Sequence, residues 1–228
     1  MLVVLYFHQI GYAPLDIALL FIFYEAFGVV TNLFGGWLGA RIGLNRTMNI
    51  GLLLQIVSLG LMSIYSSSLT MALVMFAQAL SGIAKDLNKM SAKSSVKSLI
   101  AQEKQGQLYR WVAALTGSKN ALKGVGFFLG GFLLSVLGFE HSLNAMIGLL
   151  CLMLIISLFA LNDGLGKATY KPKFRDIFSK SEAINKLSLA RFFLFGSRDV
   201  WFVIGFPVYL SSQFEWPHWQ VSSTLALW

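Results

Sequence analysis

Long apolar stretches follow one another along almost the whole chain, and this succession leaves few folds open. They run from about Leu15 to Gly39, Met48 to Tyr65, Leu69 to Gly82, Tyr109 to Phe139, Leu143 to Leu161 and Ile184 to Leu210. A shorter one, Met1 to Phe7, precedes them, and another begins near Trp219. A helix needs about 20 apolar residues to cross a bilayer. Strands of an outer-membrane barrel are shorter and alternate apolar with polar residues. These stretches do not alternate, so an all-α, polytopic membrane helix bundle is expected, each helix closing its own backbone hydrogen bonds. Composition agrees. Only 12% of the 228 residues are charged, against about 25% in a soluble domain, too few to cover a water-facing surface. That excludes an ordinary soluble enzyme, a disordered chain and a disulfide-built secreted domain. Cys151 is the single cysteine, so neither an internal disulfide nor a multi-thiolate metal site is available. The first stretch ends in the polar turn His8-Gln9-Ile10-Gly11-Tyr12. No basic segment precedes it and no cleavage site follows, so it reads as the tail of a truncated helix and not as a signal peptide.

The charges sort by loop. Arg41 and Arg46 lie between the second and third stretches, and Lys93, Lys97, Lys104 and Arg110 between the fourth and fifth. Lys167, Lys171, Lys173, Arg175 and Lys180 lie between the sixth and seventh. The intervening loops, around Gln9, Ser67, Glu140 and Glu215, contain neither Lys nor Arg. Such alternation places the basic loops in the cytoplasm. The net charge of +8 therefore reports orientation in a lipid bilayer and gives no ground for a nucleic-acid partner. Phe174, Ile177 and Phe178 share a helical face flanked by Lys173, Arg175 and Lys180, the pattern of a short interfacial helix on the inner leaflet. Ser179 and Glu182 are spaced as a capping box for the seventh stretch. The expected organisation is an N-terminal membrane half over 1–162, a central cytoplasmic loop over 163–182 and the start of a second membrane half over 183–228.

Ionisable residues inside a span are costly and mark function by default. Lys85, Lys89, Lys93 and Lys97 recur every four residues on one helical face. Lys119 and Lys123 are also four apart, and Arg191 and Arg198 seven apart. Lys119, Lys123 and Arg198 are expected to lie deepest, with Lys93 and Lys97 as cytoplasmic extensions of their helix. Glu25, Gly28, Asn32, Gly35 and Gly39 form a small-polar stripe. Cationic faces cannot sit in lipid, so three of them are expected to converge on a water-filled cavity that recruits anions. The carboxylates Glu25, Asp86 and Asp199, candidates for coupling or counter-ion roles, are too few to neutralise the set. No catalytic triad, metal-ligand cluster or phosphate loop appears, so neither an enzyme nor a cofactor is expected. A membrane-embedded enzyme or an assembly partner is the competing class, and it lacks a nucleophile or metal triad.

The residues from Gly36 to Arg46 read Gly-Trp-Leu-Gly-Ala-Arg-Ile-Gly-Leu-Asn-Arg. This resembles the signature loop of the major facilitator superfamily, Gly-x-x-x-Asp-Arg-x-Gly-x-x-Arg. Gly36, Arg41, Gly43 and Arg46 match as the gating loop, while Ala40 replaces the acidic residue. Gly126, Gly130 and Gly131 resemble part of the antiporter motif Gly-Pro-x-x-Gly-Gly, with Phe127 in place of its proline. The longer strings Gly35 to Met48, Ala79 to Ser94, Leu115 to Gly131 and Arg191 to Trp201 resemble organoarsenical efflux permeases of the ArsJ type. The resemblance implies export of 1-arseno-3-phosphoglycerate from the bacterial inner membrane by alternating access, conferring arsenate resistance. It also implies a functional link to a glyceraldehyde-3-phosphate dehydrogenase, which would make that ester. Another organic anion, a sugar phosphate or a drug, is the alternative cargo. Twelve spans in two halves are implied, of which this chain is expected to hold most of the first half and the first helix of the second. The spacing argument nominates Lys119, Lys123 and Arg198, with Lys85, Lys89 and Arg191, as the anion-binding residues.

Overall fold

The computed structural model describes residues 1–99, 105–161, 165 and 181–227. Helices account for nearly all of them, and no strand occurs among the described residues. The helices are α1 (Leu2–Gln9), α2 (Pro14–Ile42), α3 (Leu44–Ile64), α4 (Met71–Leu99), α5 (Gln105–Ala160), α6 (Glu182–Asp199), α7 (Phe206–Gln213) and α8 (His218–Leu227). Among the described residues, three segments are long and apolar enough to cross a membrane: Pro14–Asn32, Leu44–Ile64 and Tyr109–Ala160. The segment 162–180, apart from Leu165, lies outside the described residues, and with it the expected interfacial helix and Ser179 of the capping box. Lys104 lies outside them too.

Glycine sets the two sharpest breaks. Gly43, with φ 103°, separates α2 from α3, and Gly138, with φ 74°, divides α5. Residues with a Cβ avoid such angles. Before Gly138, α5 runs alongside the start of the chain, where a Cβ on Gly130 would meet Met1 at 3.3 Å, and just past it Phe139 stacks on Tyr6 with ring centroids 3.8 Å apart. After it the chain runs back along α3. Ser63 Oγ donates to Asn144 Oδ1 at 2.6 Å near one end, and Ser157 Oγ to Asn49 Oδ1 at 2.5 Å near the other. The expected loop near Glu140 is therefore a reversal at one residue, and α5 contains two spans.

The same contacts sort the loops. Ser66 Oγ donates to Glu140 Oε2, and His218 Nε2 lies 3.3 Å from Gln9 Oε1. Together with the Tyr6–Phe139 stack, these gather the loops free of Lys and Arg at one end, here the outer end. At the inner end the Leu44 amide donates to the Leu165 carbonyl, not far from Arg41. The buried apolar cluster is concentrated toward the outer end, around Phe7, Ile17, Met62, Val74, Leu134, Leu143, Val208 and Val221.

Helix α4 packs most extensively against α2 and α3. The small-residue stripe of α2 explains the first contact. A Cβ built on Gly82 would run into the Tyr24 carbonyl, and one on Gly35 would meet Met90 at 3.3 Å. Close backbone approach of this kind is how membrane helices gain dispersion contacts without a hydrophobic driving force. Toward α3 the glue is polar: Ser58 Oγ donates to the Ala77 carbonyl at 2.7 Å and Ser81 Oγ to Gln55 Oε1 at 2.9 Å. The stretch from Ile184 to Leu210 departs from the expected continuous helix, because a π-helical segment, Val200–Gly205, separates α6 from α7. Pro207 follows it. Proline has no N–H to donate one turn back, which loosens the helix at that point.

Candidate functional site

Helix α4 stays helical well past Gly82, so its lysines project in a row beyond the tight α2–α4 crossing. Lys85 Nζ pairs with Glu25 Oε1 of α2 at 3.3 Å and lies 4.0 Å from the centroid of the Tyr24 ring. One side of this ammonium is thus held by a carboxylate and another by an aromatic face. The pair is open, with side chains 34% and 50% exposed. An ion pair this accessible contributes about 1 kcal/mol or less, so it positions Lys85 without locking it.

Asp86 is held differently. It is only 3% exposed, and its Oδ1 lies 3.2 Å from Lys89 Nζ. A Cβ on Gly28 would come within 2.5 Å of Asp86 Oδ2. The carboxylate therefore sits in a notch that only glycine leaves open, packed between α2 and α4. Of the expected counter-ions, Asp86 is buried in the helix crossing and Glu25 is accessible.

On α5, Lys119 and Lys123 are exposed. Lys119 feels the charges of Lys89, Lys93 and Lys123, and of Asp86. Counting inward from Gly138, nineteen residues at 1.5 Å each put Lys119 about 29 Å from the outer turn, near the inner edge of the hydrocarbon layer. Lys123 Nζ lies 5.5 Å from the Phe127 ring centroid, on its own helix. Lys93, read from sequence as a solvated extension, belongs to the same group. Helices α4 and α5 touch only lightly, so the lysines do not fill a packed seam. The structure thus brings Glu25, Lys85, Asp86 and Lys89 together where α2 and α4 pack, in mid-bilayer, with Lys93, Lys119 and Lys123 extending the cationic band toward the inner end.

The third expected face is less complete. Arg191 is exposed on α6, and the side chains of Arg198, Asp199 and Lys97 lie outside the described residues. In the gating segment Arg41 stacks 5.1 Å from the Trp37 ring centroid. Gly43 supplies the left-handed break, Arg46 is exposed on the first turn of α3, and Gly36 has nothing near its missing Cβ. Of the antiporter-like glycines, Gly131 lies at the crossing with α8 and Gly130 packs on Met1 and Leu2, while Gly126 has nothing near its missing Cβ. A Cβ on Gly131 would collide with Ser222 and the His218 carbonyl of α8, and one on Gly124 would meet the Ala226 carbonyl at 2.9 Å. Sequence reasoning missed Tyr24, since nothing in a single sequence shows that its ring lies beneath a lysine of another helix. No group of three or more metal-ligating side chains occurs among the described residues.

A helical membrane bundle with glycine-mediated crossings and several charged side chains within its spans is consistent with a transporter. The sequence profile described as Major Facilitator Superfamily matches residues 1–228. The chain belongs to the major facilitator superfamily. It is accordingly a multi-pass membrane transporter, in which substrates bind between helices near the middle of the bilayer. Comparison with curated proteins gives no match.

Proposed function

We propose that this facilitator exports an organic polyanion from the cytoplasm of a bacterial cell, and that its cargo is the arsenate ester 1-arseno-3-phosphoglycerate. The observation that carries the reading is the cationic band, in which the ammonium groups of Lys85, Lys89, Lys93, Lys119 and Lys123 are opposed by the carboxylates of Glu25 and Asp86. The surplus positive charge suits a substrate bearing two tetrahedral oxyanions. Its extension from mid-bilayer toward the inner end suits loading from the cytoplasm, while the packed apolar cluster closes the outer end. The chemistry also fits pentavalent arsenic, an oxyanion that lysine and arginine recognise through charged hydrogen bonds. Trivalent arsenic would need several thiolates, and Cys151 is alone. Lys119 and Lys123 bind the anionic groups with Arg198, and Lys85 and Lys89 form the approach. Arg191 is the outlying member of the set. Glu25, exposed and paired with Lys85, is the counter-ion that the substrate displaces.

The test is arsenate resistance in sensitive cells expressing the full-length protein, with and without a co-expressed glyceraldehyde-3-phosphate dehydrogenase. Resistance that requires both proteins supports the arsenate ester. Absence of resistance, with uptake or efflux of a sugar phosphate in vesicles, would instead favour the broader reading of an organic-anion facilitator.

A further inference from the structure

Tyr24 and Glu25 both hold Lys85, and they differ in how firmly they are themselves held. They are consecutive on α2, about 100° apart around the helix, so the ring and the carboxylate reach the ammonium from different sides. The carboxylate is loose. Its side chain is half exposed, with Oε1 3.3 Å from Lys85 Nζ. The ring is fixed. Its centroid lies 4.0 Å from Lys85 Nζ, and it meets Phe21, one turn earlier on α2, in a T-shaped contact with centroids 6.2 Å apart. Phe21 in turn packs against the buried apolar cluster. The Tyr24 backbone is held as well, since its carbonyl is the group against which Gly82 of α4 packs. Gly82 and Lys85 are three residues apart and share a face of α4. The crossing that seats Gly82 on Tyr24 therefore also carries Lys85 over the ring.

The two partners answer differently to an anion. An ammonium has three N–H donors. Glu25 accepts from it, and about a third of the Lys85 side chain is open. An incoming oxyanion competes directly with Glu25, because both are acceptors for the same donors. It does not compete with the ring, which attracts the cation through its quadrupole and carries no net charge. A lysine supported by the carboxylate alone would be released at the moment of exchange. Its long side chain would then have to be ordered again on the cargo, at an entropic cost.

We propose that Tyr24 is a positioning residue of the anion site, its ring holding the Lys85 ammonium at the α2–α4 crossing while an oxyanion of the cargo takes the place of Glu25. The inference rests on the polyanion reading above and deepens it, since affinity for the anion then depends on an uncharged residue. The face of the ring does this, and the hydroxyl is not required.

The test is titration calorimetry of the full-length protein in mild detergent with 2,3-bisphosphoglycerate, a stable glycerate bearing two tetrahedral oxyanions. Tyr24→Leu should weaken binding about fivefold, the loss expected for a partly exposed cation–π contact. Tyr24→Phe should keep most of the affinity. Fluorinated phenylalanines at position 24 keep the size of the ring and drain negative charge from its face, so binding should weaken with each added fluorine. They also serve if melting curves show Tyr24→Leu to be unfolded. In a Lys85→Ala background Tyr24→Leu should have no further effect. A packing role for Tyr24 gives the opposite results, and indifference to fluorination or an undiminished loss without Lys85 overturns the proposal. A second readout needs no ligand. Reductive methylation of Lys85, followed by peptide mass spectrometry, should run several-fold faster in Tyr24→Leu than in the parent. If the parent binds no bisphosphate, the polyanion reading fails alone and the methylation rates decide on Tyr24. Faster reaction in Tyr24→Leu supports its hold on Lys85, and equal rates overturn it.

Discussion

Gly82 is the residue on which the cationic band depends most directly. Its lack of a side chain lets α4 approach the Tyr24 carbonyl and so brings Lys85 within reach of Glu25 and the Tyr24 ring. Gly82→Ala should destabilise the protein by about 1–3 kcal/mol, as overpacking does, and lower transport although every lysine is kept. Gly36→Ala, where nothing lies near the missing Cβ, should stay within about 0.5 kcal/mol of the parent. Melting curves in detergent at matched lipid content separate the two. His218 makes a second residue-scale case. Burial, with the nearby His8 ring adding to it, lowers its pKa below the usual histidine value. The Gln9 amide oxygen accepts from Nε2–H in either charge state, while burial favours the neutral imidazole. Its contribution is present above the ordinary histidine range and is lost as pH falls through that range. A fluorophore and quencher on the outer ends of α1 and α8 should separate on acidification. His218→Gln, which keeps an amide for Gln9, should flatten that response. An undiminished response in this variant would remove His218 as the cause.

At the scale of elements, Gly138 turns one long apolar helix into two antiparallel spans. Its backbone, at φ 74° and ψ −178°, lies where side-chain-bearing residues are strained. Gly138→Ala should therefore cost about 1–3 kcal/mol. Gly148→Ala, in regular helix with open space around it, should be neutral or slightly stabilising, since alanine is the better helix former. Comparable stability of the two variants would show that the reversal tolerates a side chain. The α2–α4 crossing is the element pair that assigns roles to the acids. Asp86, buried in the Gly28 notch, serves as a fixed counter-ion, whereas Glu25 is accessible. Glu25→Gln is therefore expected to alter transport with little change in melting temperature, and Asp86→Asn to lower both. Scanning calorimetry beside an efflux assay reads the difference.

Across the whole molecule, charge sorts into a basic inner end and an outer end closed by apolar packing. Cysteine labelling tests the sidedness, starting from Cys151→Ser. A cysteine at Glu140 should react with an impermeant maleimide from outside intact cells, and one at Arg41 only after permeabilisation. Reaction of both from the same side would invert the topology. Function follows the same axis. In efflux assays at matched membrane abundance, Lys119→Ala and Arg198→Ala should abolish export and Arg198→Lys impair it, because the charge stays while the guanidinium fork is lost. Lys97→Ala, toward the solvated end of α4, should do much less. Undiminished efflux in Lys119→Ala and Arg198→Ala would remove the anion site from these residues while leaving the transporter intact.

The sequence by itself determined the helical membrane class and the superfamily, and it carries the expectation of orientation. Those follow from local chemistry: apolar length against bilayer thickness, the asymmetry of Lys and Arg between loops, and the Gly-Arg-Gly-Arg pattern from Gly36 to Arg46. Helical phase was equally legible, which is why Lys85 with Lys89, and Lys119 with Lys123, were placed on shared faces. Only the tertiary structure decided what each face meets. Depth is a relation between helices, so sequence spacing alone could not say which lysines of α4 lie beside which lysines of α5. The Tyr24 ring beneath Lys85, the notch in which Gly28 receives Asp86 and the crossing of Gly131 with Ser222 join residues tens of positions apart. The registers that create them are fixed by where small side chains let two backbones approach, and no single helix contains that information.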